Sequence, residues 1–464
     1  MCGVFGIVST EPEVSKLVYL GLYALQHRGQ ESAGIAVVNP EKNIDFHKGM
    51  GLVPQVFNEH ILQGLHGSIA MGHVRYSTTG SSQLKNAQPL QVELSDGVAM
   101  LGHNGNLVNT MELRQELEAD GYEFTMSSDT ALIGCLLQKY YQGDIAAALA
   151  ALAPKLKGAF SLVVMTENKI FGMRDPYGIR PLCIGKLSNE RGYVVASESS
   201  ALDIVGAELI RDVKKGEIVT LDTKGIKSLM YDETKCNGFC VFEFIYFARP
   251  DSIINGRTVY SARVEMGKRL YAEHPVDADV VIAVPDSGVP AAIGFANASG
   301  IPYAEGLIKN RYVGRTFISP SQLLREIGVK IKLNPLRDVL EGKRVVVIDD
   351  SIVRGTTSAK IVSLLKAAGA KEVHFRVSSP PTIGPCYYGI DIATKEELVA
   401  HRHSIPQIQN MLKADSLGYL SVQGVFDSLH AQEGDYCYGC FSDHYPADLP
   451  DESSKLNLVF NKCQ

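Results

Sequence analysis

The chain reads as an α/β protein of two domains, a sandwich of stacked sheets followed by a mainly parallel sheet. Three observations carry that reading. At 464 residues the chain exceeds what one compact core usually holds. Up to about residue 230, short strands recur in runs with helices placed between the runs. From about residue 278, continuous apolar runs alternate with amphipathic helices, as expected of strands covered on both faces.

In the first half, alternating or wholly apolar patterns predict strands at 2–8, 34–38, 68–73, 98–103, 160–165, 170–174, 193–197 and 217–221. Gly80-Ser81-Ser82 and Asp175-Pro176-Tyr177-Gly178 mark turns between them. Helices are expected at 12–26, 110–120, 128–140 and 144–152, with Ser128 or Asp129 placed to cap the third. In the second half, strands at 279–284, 344–349 and 372–377 alternate with helices at 291–298 and 358–368. The polar, Gly-containing stretch 223–240 takes the domain boundary. It divides the chain into domains 2–230 and 231–446, with a polar tail at 447–464 that is expected to cover surface.

Hydrophobic residues make up 45% and charged residues 21% of the chain, with a formal net charge of -6. That balance fits a soluble enzyme and offers no basic face for nucleic acid. No apolar run is long enough to span a bilayer, and the start lacks the pattern of a signal peptide. The expected setting is the cytoplasm, without membrane or nucleic-acid partners. Thiols stay reduced there, so the nine cysteines read as catalytic, cluster-binding or buried rather than disulfide-bonded.

The run Met1-Cys2-Gly3-Val4-Phe5-Gly6-Ile7-Val8 puts a cysteine first once the initiator methionine is removed. Its own α-amine, with an unperturbed pKa of about 7.7–8.0, then serves as a base for the thiol. The plainer alternative is a small apolar residue opening a buried strand. Arg75, in His73-Val74-Arg75-Tyr76-Ser77-Thr78, is a fixed cation whose planar fork suits a carboxylate. In His103-Asn104-Gly105-Asn106-Leu107, the Asn104 amide and a closely approaching backbone N–H at Gly105 suit an oxyanion hole. In Ser127-Ser128-Asp129-Thr130, the Asp129 carboxylate suits a substrate ammonium. Taken singly, Asn-Gly is a turn and Ser-Ser-Asp a helix cap.

Taken in order with Leu25-Gln26-His27-Arg28-Gly29-Gln30-Glu31-Ser32-Ala33-Gly34, these motifs resemble the glutaminase domain of the N-terminal-nucleophile amidotransferases. The resemblance covers nearly all of the first half and implies an αββα fold. It implies that Cys2 attacks the carboxamide of glutamine, giving a thioester and releasing ammonia. It further implies that Asn104 and Gly105 stabilise the oxyanion, and that Arg75 and Asp129 grip the α-carboxylate and α-amine. Arg28 is expected among the glutamine-binding residues, in an arginine-bearing loop near the nucleophile.

In the second half, the strand Val345-Val346-Val347-Ile348 ends in Asp349 and Asp350. Ser351-Ile352-Val353-Arg354-Gly355-Thr356-Thr357 and a helix follow. The loop N–H groups and the helix N-terminus suit a 5′-phosphate. The paired aspartates suit ribose hydroxyls or a hydrated Mg²⁺. Ala283-Val284-Pro285-Asp286-Ser287-Gly288 closes the preceding strand in a turn suited to pyrophosphate, with Ser287 able to reach a metal. The segment 307–317 is basic and Gly-containing, either a solvated loop or a lid over a phosphorylated ligand.

The 345–358 segment resembles the phosphoribosyl pyrophosphate (PRPP) motif of type I phosphoribosyltransferases. That resemblance implies PRPP contacts from Asp286, Ser287, Gly288, Lys309, Arg311, Asp349, Asp350, Ser351, Arg354, Gly355, Thr356 and Thr357. Mg²⁺ is expected on Ser287, Asp349 and Asp350.

Cys437-Tyr438-Gly439-Cys440 is a C-x-x-C pair, by itself a zinc or a redox motif. A glutaminase placed ahead of a phosphoribosyltransferase is similar to the glutamine PRPP amidotransferases. The settings of Cys240, Cys386, Cys437 and Cys440 resemble the iron–sulfur subgroup of that family, which implies a [4Fe–4S] cluster on these four thiolates. Tetrahedral zinc is the structural alternative, and Cys236 stands close enough in sequence to replace Cys240. Cys135 and Cys183 read as buried and Cys463 as part of the tail.

The family implies that ammonia passes internally to the second site and displaces pyrophosphate from C1 of PRPP. The product is 5-phosphoribosylamine, in the first committed step of purine synthesis. It also implies feedback inhibition by purine nucleotides and a homotetramer. Some members of the subgroup carry a propeptide; here only Met1 precedes the nucleophile, so maturation is expected to need only methionine removal. Two other readings explain less. A glucosamine-6-phosphate synthase shares the glutaminase half but has no place for the 349–357 loop. A purine-responsive regulator leaves Cys2, Asn104 and Asp129 unexplained, and no DNA-binding helix-turn-helix is evident.

Overall fold

A computed structural model describes residues 1–77, 81–233, 236–310, 333–392 and 394–450. Two antiparallel sheets face each other in the first half. One runs in the order β11 (Ala207–Asp212), β9 (Cys183–Leu187), β10 (Gly192–Ala196), β1 (Gly3–Ser9), β4 (Ile69–Arg75), β2 (Ser32–Val38) and β3 (Ile44–Met50). The other runs β13 (Gly225–Met230), β12 (Glu217–Asp222), β8 (Ile170–Arg174), β7 (Gly158–Met165), β6 (Gly97–Leu107) and β5 (Leu90–Leu94).

Strand β1 shows why the layers form. Its alternate residues Val4 and Val8 join the core between the sheets, with Met71, Met100, Val163 and Val195. Phe5 and Ile7 point the other way, into a core shared with Val14, Val18 and Leu22 of the helix Val14–Ala24. This is the two-residue period of a strand buried on both faces. At Gly6 the sheets approach so closely that a Cβ would stand 2.9 Å from Ile170 and 3.0 Å from Val163. Helices Thr110–Ala119, Asp129–Tyr140 and Ile145–Leu152 cover the outer face of the second sheet through Leu113, Leu117, Leu136 and Leu149. The layer order is αββα, as the sequence implied.

Two details differ from the sequence reading. Strand β6 continues four residues past the expected end at 103, so Asn104 and Gly105 lie in a strand, opposite Ser161 and Phe160 of β7, and not in a turn. Strand β13 occupies part of the stretch read as boundary, pairing with β12 from Gly225 to Met230. Its mostly exposed side chains gave no alternation to detect.

The second half opens with β14 (Phe239–Cys240), a π-helical turn at Glu243–Phe247 and a short hairpin of β15 (Ile253–Ile254) and β16 (Arg257–Thr258). A four-stranded sheet follows, with every pairing parallel, in the order β17 (Val280–Ala283), β20 (Arg344–Asp349), β21 (Glu372–Val377) and β22 (Ser416–Tyr419). Val346 and Ile348 of β20 join one core, with the helices Val259–Glu273 and Val289–Ser299. Val345 and Val347 join the opposite core, with Thr356–Ala367 and Ile405–Leu412. Burial on both faces is what the unbroken apolar run required.

Strands β18 (Leu307–Lys309) and β19 (Leu333–Pro335) pair as a ladder on either side of 311–332. Arg311 and most of the expected lid lie outside the described residues, as do residues 451–464 of the tail with Cys463. Strand β23 (Tyr436–Cys437) returns to pair with β14. Among the described residues no helix is long and apolar enough to cross a membrane.

Phe5→Ala removes a ring buried on the helix side of β1. It is expected to cost about 3–5 kcal/mol, read as a lower denaturation midpoint. An unchanged midpoint would contradict the double-sided burial of β1.

Candidate active sites

Cys2 sits where β1 begins, with its Sγ 3.6 Å from the Tyr76 carbonyl. Its backbone nitrogen donates to Asn104 Oδ1 at 3.0 Å, and its carbonyl accepts from Arg28 Nε at 3.0 Å. With Met1 in place that nitrogen is a peptide amide. Met1 is itself buried, in the core that contains Phe239, Cys240, Tyr388 and Cys437. Desolvation lowers its α-amine to about 5.

The Asn104 side chain is wholly buried. While Oδ1 holds the Cys2 nitrogen, Nδ2 has no hydrogen-bond partner. An unmatched buried donor costs about 1–3 kcal/mol. Placed on the amide that touches the Cys2 backbone, it is suited to donate to an oxygen on which negative charge develops. Gly105 follows, where a Cβ would stand 2.0 Å from the Ala159 carbonyl and 2.8 Å from His103 Nε2. Any side chain there would displace the strand.

Arg75, at the end of β4, is buried and paired with Glu31. The other oxygen of Glu31 accepts from the Ser77 amide at 3.1 Å. Glu31 therefore orients both the cation and the loop leaving β4; sequence reasoning did not single it out. Asp129 opens its helix and accepts from the amides of Leu107 at 3.2 Å and Thr130 at 2.8 Å. His103 Nδ1 lies 3.5 Å from the same carboxylate. Burial opposes charge on both groups. Asp129 nonetheless titrates below the ordinary carboxylate value, because His103 and the two amides favour its ionised form. Burial likewise opposes His103, but Asp129 outweighs it and raises the imidazole.

Arg28 departs from the expected role. It is fully buried, with Nη1 and Nη2 donating to Glu243 at 3.1 and 2.8 Å, Nη1 also paired with Glu198, and Nε held by Cys2. These acceptors tie the guanidinium to the nucleophile's backbone and to two buried carboxylates. A loop of the second half completes the surroundings. Tyr387 O accepts from Asn106 Nδ2 at 2.8 Å, and Asp391 accepts from the Tyr76 hydroxyl at 3.0 Å. Gly389 packs on Gly105, where a Cβ would come within 3.1 Å of its carbonyl.

The second constellation lies at the carboxyl ends of β17 and β20, where ligands bind in open parallel sheets. Asp350 accepts from Ser287 and Ser351, and Asp349 accepts from the Asp350 amide at 3.0 Å. Burial and its neighbour push the Asp349 carboxyl well above the usual range. Burial raises Asp350 as well, against the pull of Ser287, Ser351 and Arg263. A site with this surplus of buried negative charge favours a cation.

Gly288 precedes the helix Val289–Ser299, and Gly355, with φ +77°, precedes Thr356–Ala367. Thr356 and Thr357 lie exposed in the first turn of the latter. Lys309 pairs with Asp286 across this mouth. Arg354 points instead to the surface, donating to Glu397 at 2.9 Å.

The cysteines also converge. Cys240 and Cys437 stand opposite each other in the β14–β23 pair. The amides of Ile383 and Gly384, leading to Cys386, donate to the Cys440 carbonyl at 2.9 and 3.0 Å. Burial raises the Cys240 thiol to about 11. Burial raises Cys440 further, together with the negative charges of Cys240, Cys386 and Cys437. Burial and then neighbouring cysteines oppose ionisation of Cys437 as they do that of Cys440, and thiolates are the donors that a thiophilic cationic centre takes. Cys236 is exposed and apart from this grouping in burial. Among the described residues, no group of three or more His, Cys, Asp or Glu side chains is arranged so that it could hold a metal ion.

A glutamine amidotransferase domain model matches residues 73–204, and a phosphoribosyl transferase domain model matches residues 262–379. The chain is 51% identical over 462 residues to an amidophosphoribosyltransferase of Synechococcus elongatus, covering 99% of this chain and 94% of that one. An amidophosphoribosyltransferase of Archaeoglobus fulgidus is 50% identical over 457 residues, covering 97% of this chain and 99% of that one. A solved glutamine PRPP amidotransferase from B. subtilis, complexed with ADP and GMP, superposes with a TM-score of 0.91 at 46% identity, covering 97% of this chain and 98% of that one. A structure described as the allosteric regulatory enzyme of purine biosynthesis also gives 0.91, at 47% identity and 97% coverage of each chain.

His103 binds its proton more tightly in the folded state. Its contribution to stability is fully present below about pH 6.5 and fades as pH rises through the raised folded pKa. Asp129 behaves oppositely, its contribution fading as pH falls through its depressed value. In Asp129→Asn the imidazole loses the carboxylate that most strongly favours its charged form while burial still opposes it, so His103 is expected to titrate lower than in the wild type. An unmoved imidazole resonance in a pH titration would refute the pairing.

Proposed function

The chain belongs to the amidophosphoribosyltransferase family, and from that membership we propose a division of labour between its two sites. The enzyme is a glutamine-dependent pentosyltransferase that aminates PRPP in purine biosynthesis. Cys2 is the glutaminase nucleophile. The observation that carries this assignment is the Asn104 amide, whose Oδ1 holds the Cys2 nitrogen while its buried Nδ2 has no partner.

With Met1 removed, the nitrogen that now donates to Asn104 becomes an amine, placed to take the thiol proton. The thiolate attacks the carboxamide carbon of glutamine. Negative charge then develops on the former carbonyl oxygen, toward Asn104 Nδ2 and the Gly105 backbone. Collapse, with the α-amine returning its proton to the departing nitrogen, expels ammonia and leaves a thioester, which water hydrolyses to glutamate and the free thiol. Arg75, oriented by Glu31, binds the α-carboxylate, and Asp129 binds the α-amine. Arg28 positions the Cys2 carbonyl and makes no substrate contact.

Ammonia then attacks C1 of PRPP and pyrophosphate leaves, giving 5-phosphoribosylamine. The loop holding Tyr387, Gly389 and Asp391 supports direct internal passage, because the second half itself walls the nucleophile. The 351–357 loop and the helix start at Thr356 hold the 5′-phosphate. Asp286, Ser287 and Gly288 face the pyrophosphate, with Lys309 and Arg311 adding positive charge. Asp349 and Asp350 take the ribose hydroxyls and, with Ser287, would hold Mg²⁺, which would offset the charge of the leaving pyrophosphate.

Cys240, Cys386, Cys437 and Cys440 would hold a [4Fe–4S] cluster, tying β14 and β23 to the loop that reaches Cys2. Its role here is structural. Purine nucleotides act as feedback inhibitors, a reading supported by the ADP and GMP bound to the B. subtilis relative. A cytoplasmic homotetramer is the proposed working form.

Cys2→Ala is expected to reduce glutamine-driven pyrophosphate release by about 10³-fold or more while the ammonia-driven rate persists. Equal loss of both would contradict two separate sites. Asp349→Asn is expected to raise the KM for PRPP by about tenfold or more with either nitrogen donor; an unchanged KM would remove the PRPP loop from the site. Anaerobically purified protein is expected to contain four irons per chain and to show the visible absorption of an iron–sulfur chromophore. Stoichiometric zinc without iron would replace the cluster by a structural zinc site.

A further inference from the structure

Glu243 belongs to the second half, on the π-helical turn after β14, yet its carboxylate is wholly buried between two arginines of the first half. Arg28 donates to it twice, at 3.1 and 2.8 Å, and Arg180 Nη1 approaches at 3.4 Å. The same Arg28 holds the Cys2 carbonyl through Nε. Arg180 holds the opposite side of the junction, donating to the Tyr388 carbonyl at 2.8 Å. The turn carrying Glu243 is itself clamped. Arg263, buried on the helix Val259–Glu273, donates to the carbonyls of Phe244 at 2.7 Å and Ala248 at 2.8 Å.

We propose that Glu243 is a positioning residue for the glutaminase nucleophile, supplied by the transferase half. The inference rests on the reading of Cys2 as that nucleophile. Glu243 fixes the plane of the Arg28 guanidinium by two parallel hydrogen bonds, and Arg28 thereby fixes the Cys2 carbonyl. The Cys2 carbonyl and amide belong to one short stretch of backbone, so this hold sets how the thiol faces Asn104. A misplacement of about 1 Å at such a point costs on the order of 10²-fold in rate. Glu198 grips Nη1 from the other side, so loss of the Glu243 charge leaves Arg28 paired but no longer held in plane. The route runs from Glu243 through Arg28 to Cys2; the link of its turn toward the transferase site is Arg263, whose charge also acts on Asp350, and Glu243→Gln leaves that arginine and both aspartates in place, so the transfer of free ammonia is expected to persist.

The test compares wild type, Glu243→Gln, Glu243→Asp, Arg28→Lys and the Glu243→Gln/Arg28→Lys double variant. Each is assayed with glutamine and with ammonia at saturating PRPP, and the Cys2 thiol is titrated by its rate of alkylation with iodoacetamide. Glu243→Gln is expected to lower the glutamine-driven kcat about tenfold or more, with the KM for glutamine within about threefold and the ammonia-driven rate within about twofold. Alkylation of Cys2 should slow in parallel, Glu243→Asp should recover part of the loss, and the double variant should be no worse than its poorer single parent.

Equal losses with both donors, an unchanged glutamine-driven rate, or losses that multiply in the double variant would each overturn the proposal. If Glu243→Gln fails to accumulate as folded protein, Glu243→Asp carries the same comparison at smaller amplitude. A Cys2→Ala enzyme that still used glutamine would instead overturn the underlying reading and leave the role of Glu243 without an object.

Discussion

Two guanidiniums and two carboxylates, those of Arg28, Arg180, Glu198 and Glu243, are sealed from water where the halves of the chain meet. Burial of such groups is tolerable only because each charge is paired and hydrogen-bonded; removing one partner of a buried pair typically costs about 3–5 kcal/mol. Much of the functional geometry hangs from this group. Arg28 holds Cys2, Arg180 holds Tyr388 and approaches Cys386 at 3.9 Å, and Glu198 holds the Arg249 amide and the Ser252 hydroxyl. The two domains are therefore joined through their chemistry as well as their apolar surface.

The two candidate sites set opposite electrostatic problems. Around Cys2 a buried donor, Asn104 Nδ2, waits without an acceptor. Around Asp349 and Asp350 a buried pair of acids stands with too little positive charge to ionise both freely. Each is an unfavourable arrangement in the absence of a ligand, and each is matched by the ligand proposed for it, an oxyanion in one case and a cation with its phosphates in the other. Interactions that become favourable as charge develops lower barriers, whereas those already satisfied in the resting protein do not.

Much of this was legible before any coordinates. The double-sided burial of β1 and β20 follows from their apolar runs, and the ordered motifs with their resemblance to a glutaminase named Cys2, Arg75, Asn104 and Asp129; the fold bonds Asn104 to the Cys2 nitrogen and sets the carbonyl of Tyr76, next to Arg75, beside the Cys2 thiol. Other features were not legible for physical reasons. Strands β3 and β13 lie at sheet edges with exposed side chains, so they carry little periodic signal. The Asn-Gly pair at 104–105 has the composition of a turn, and only pairing with β7 makes it a strand. Arg28 was expected to face glutamine because its loop lies beside the nucleophile; the acceptors that claim it, Glu198 and Glu243, are 170 and 215 residues away in sequence. Glu31 was within the quoted motif, but nothing in the spacing distinguished an orienting carboxylate from a solvated one.

Sequence by itself determined the identities and order of the reactive groups: a thiol at the start of an apolar strand, two acids at the end of another, and four cysteines apart from the rest. Strand periodicity and residue chemistry are local properties, and they survive in a linear text. What only the tertiary structure decided is which charges meet. The partner of a buried ion is chosen by the packing of distant segments, because a low-dielectric interior makes every unpaired charge costly and so forces pairing across whatever chain separation the fold allows. On those grounds Arg28 meets the Cys2 carbonyl and Glu198, and it meets Glu243 from the other half of the chain.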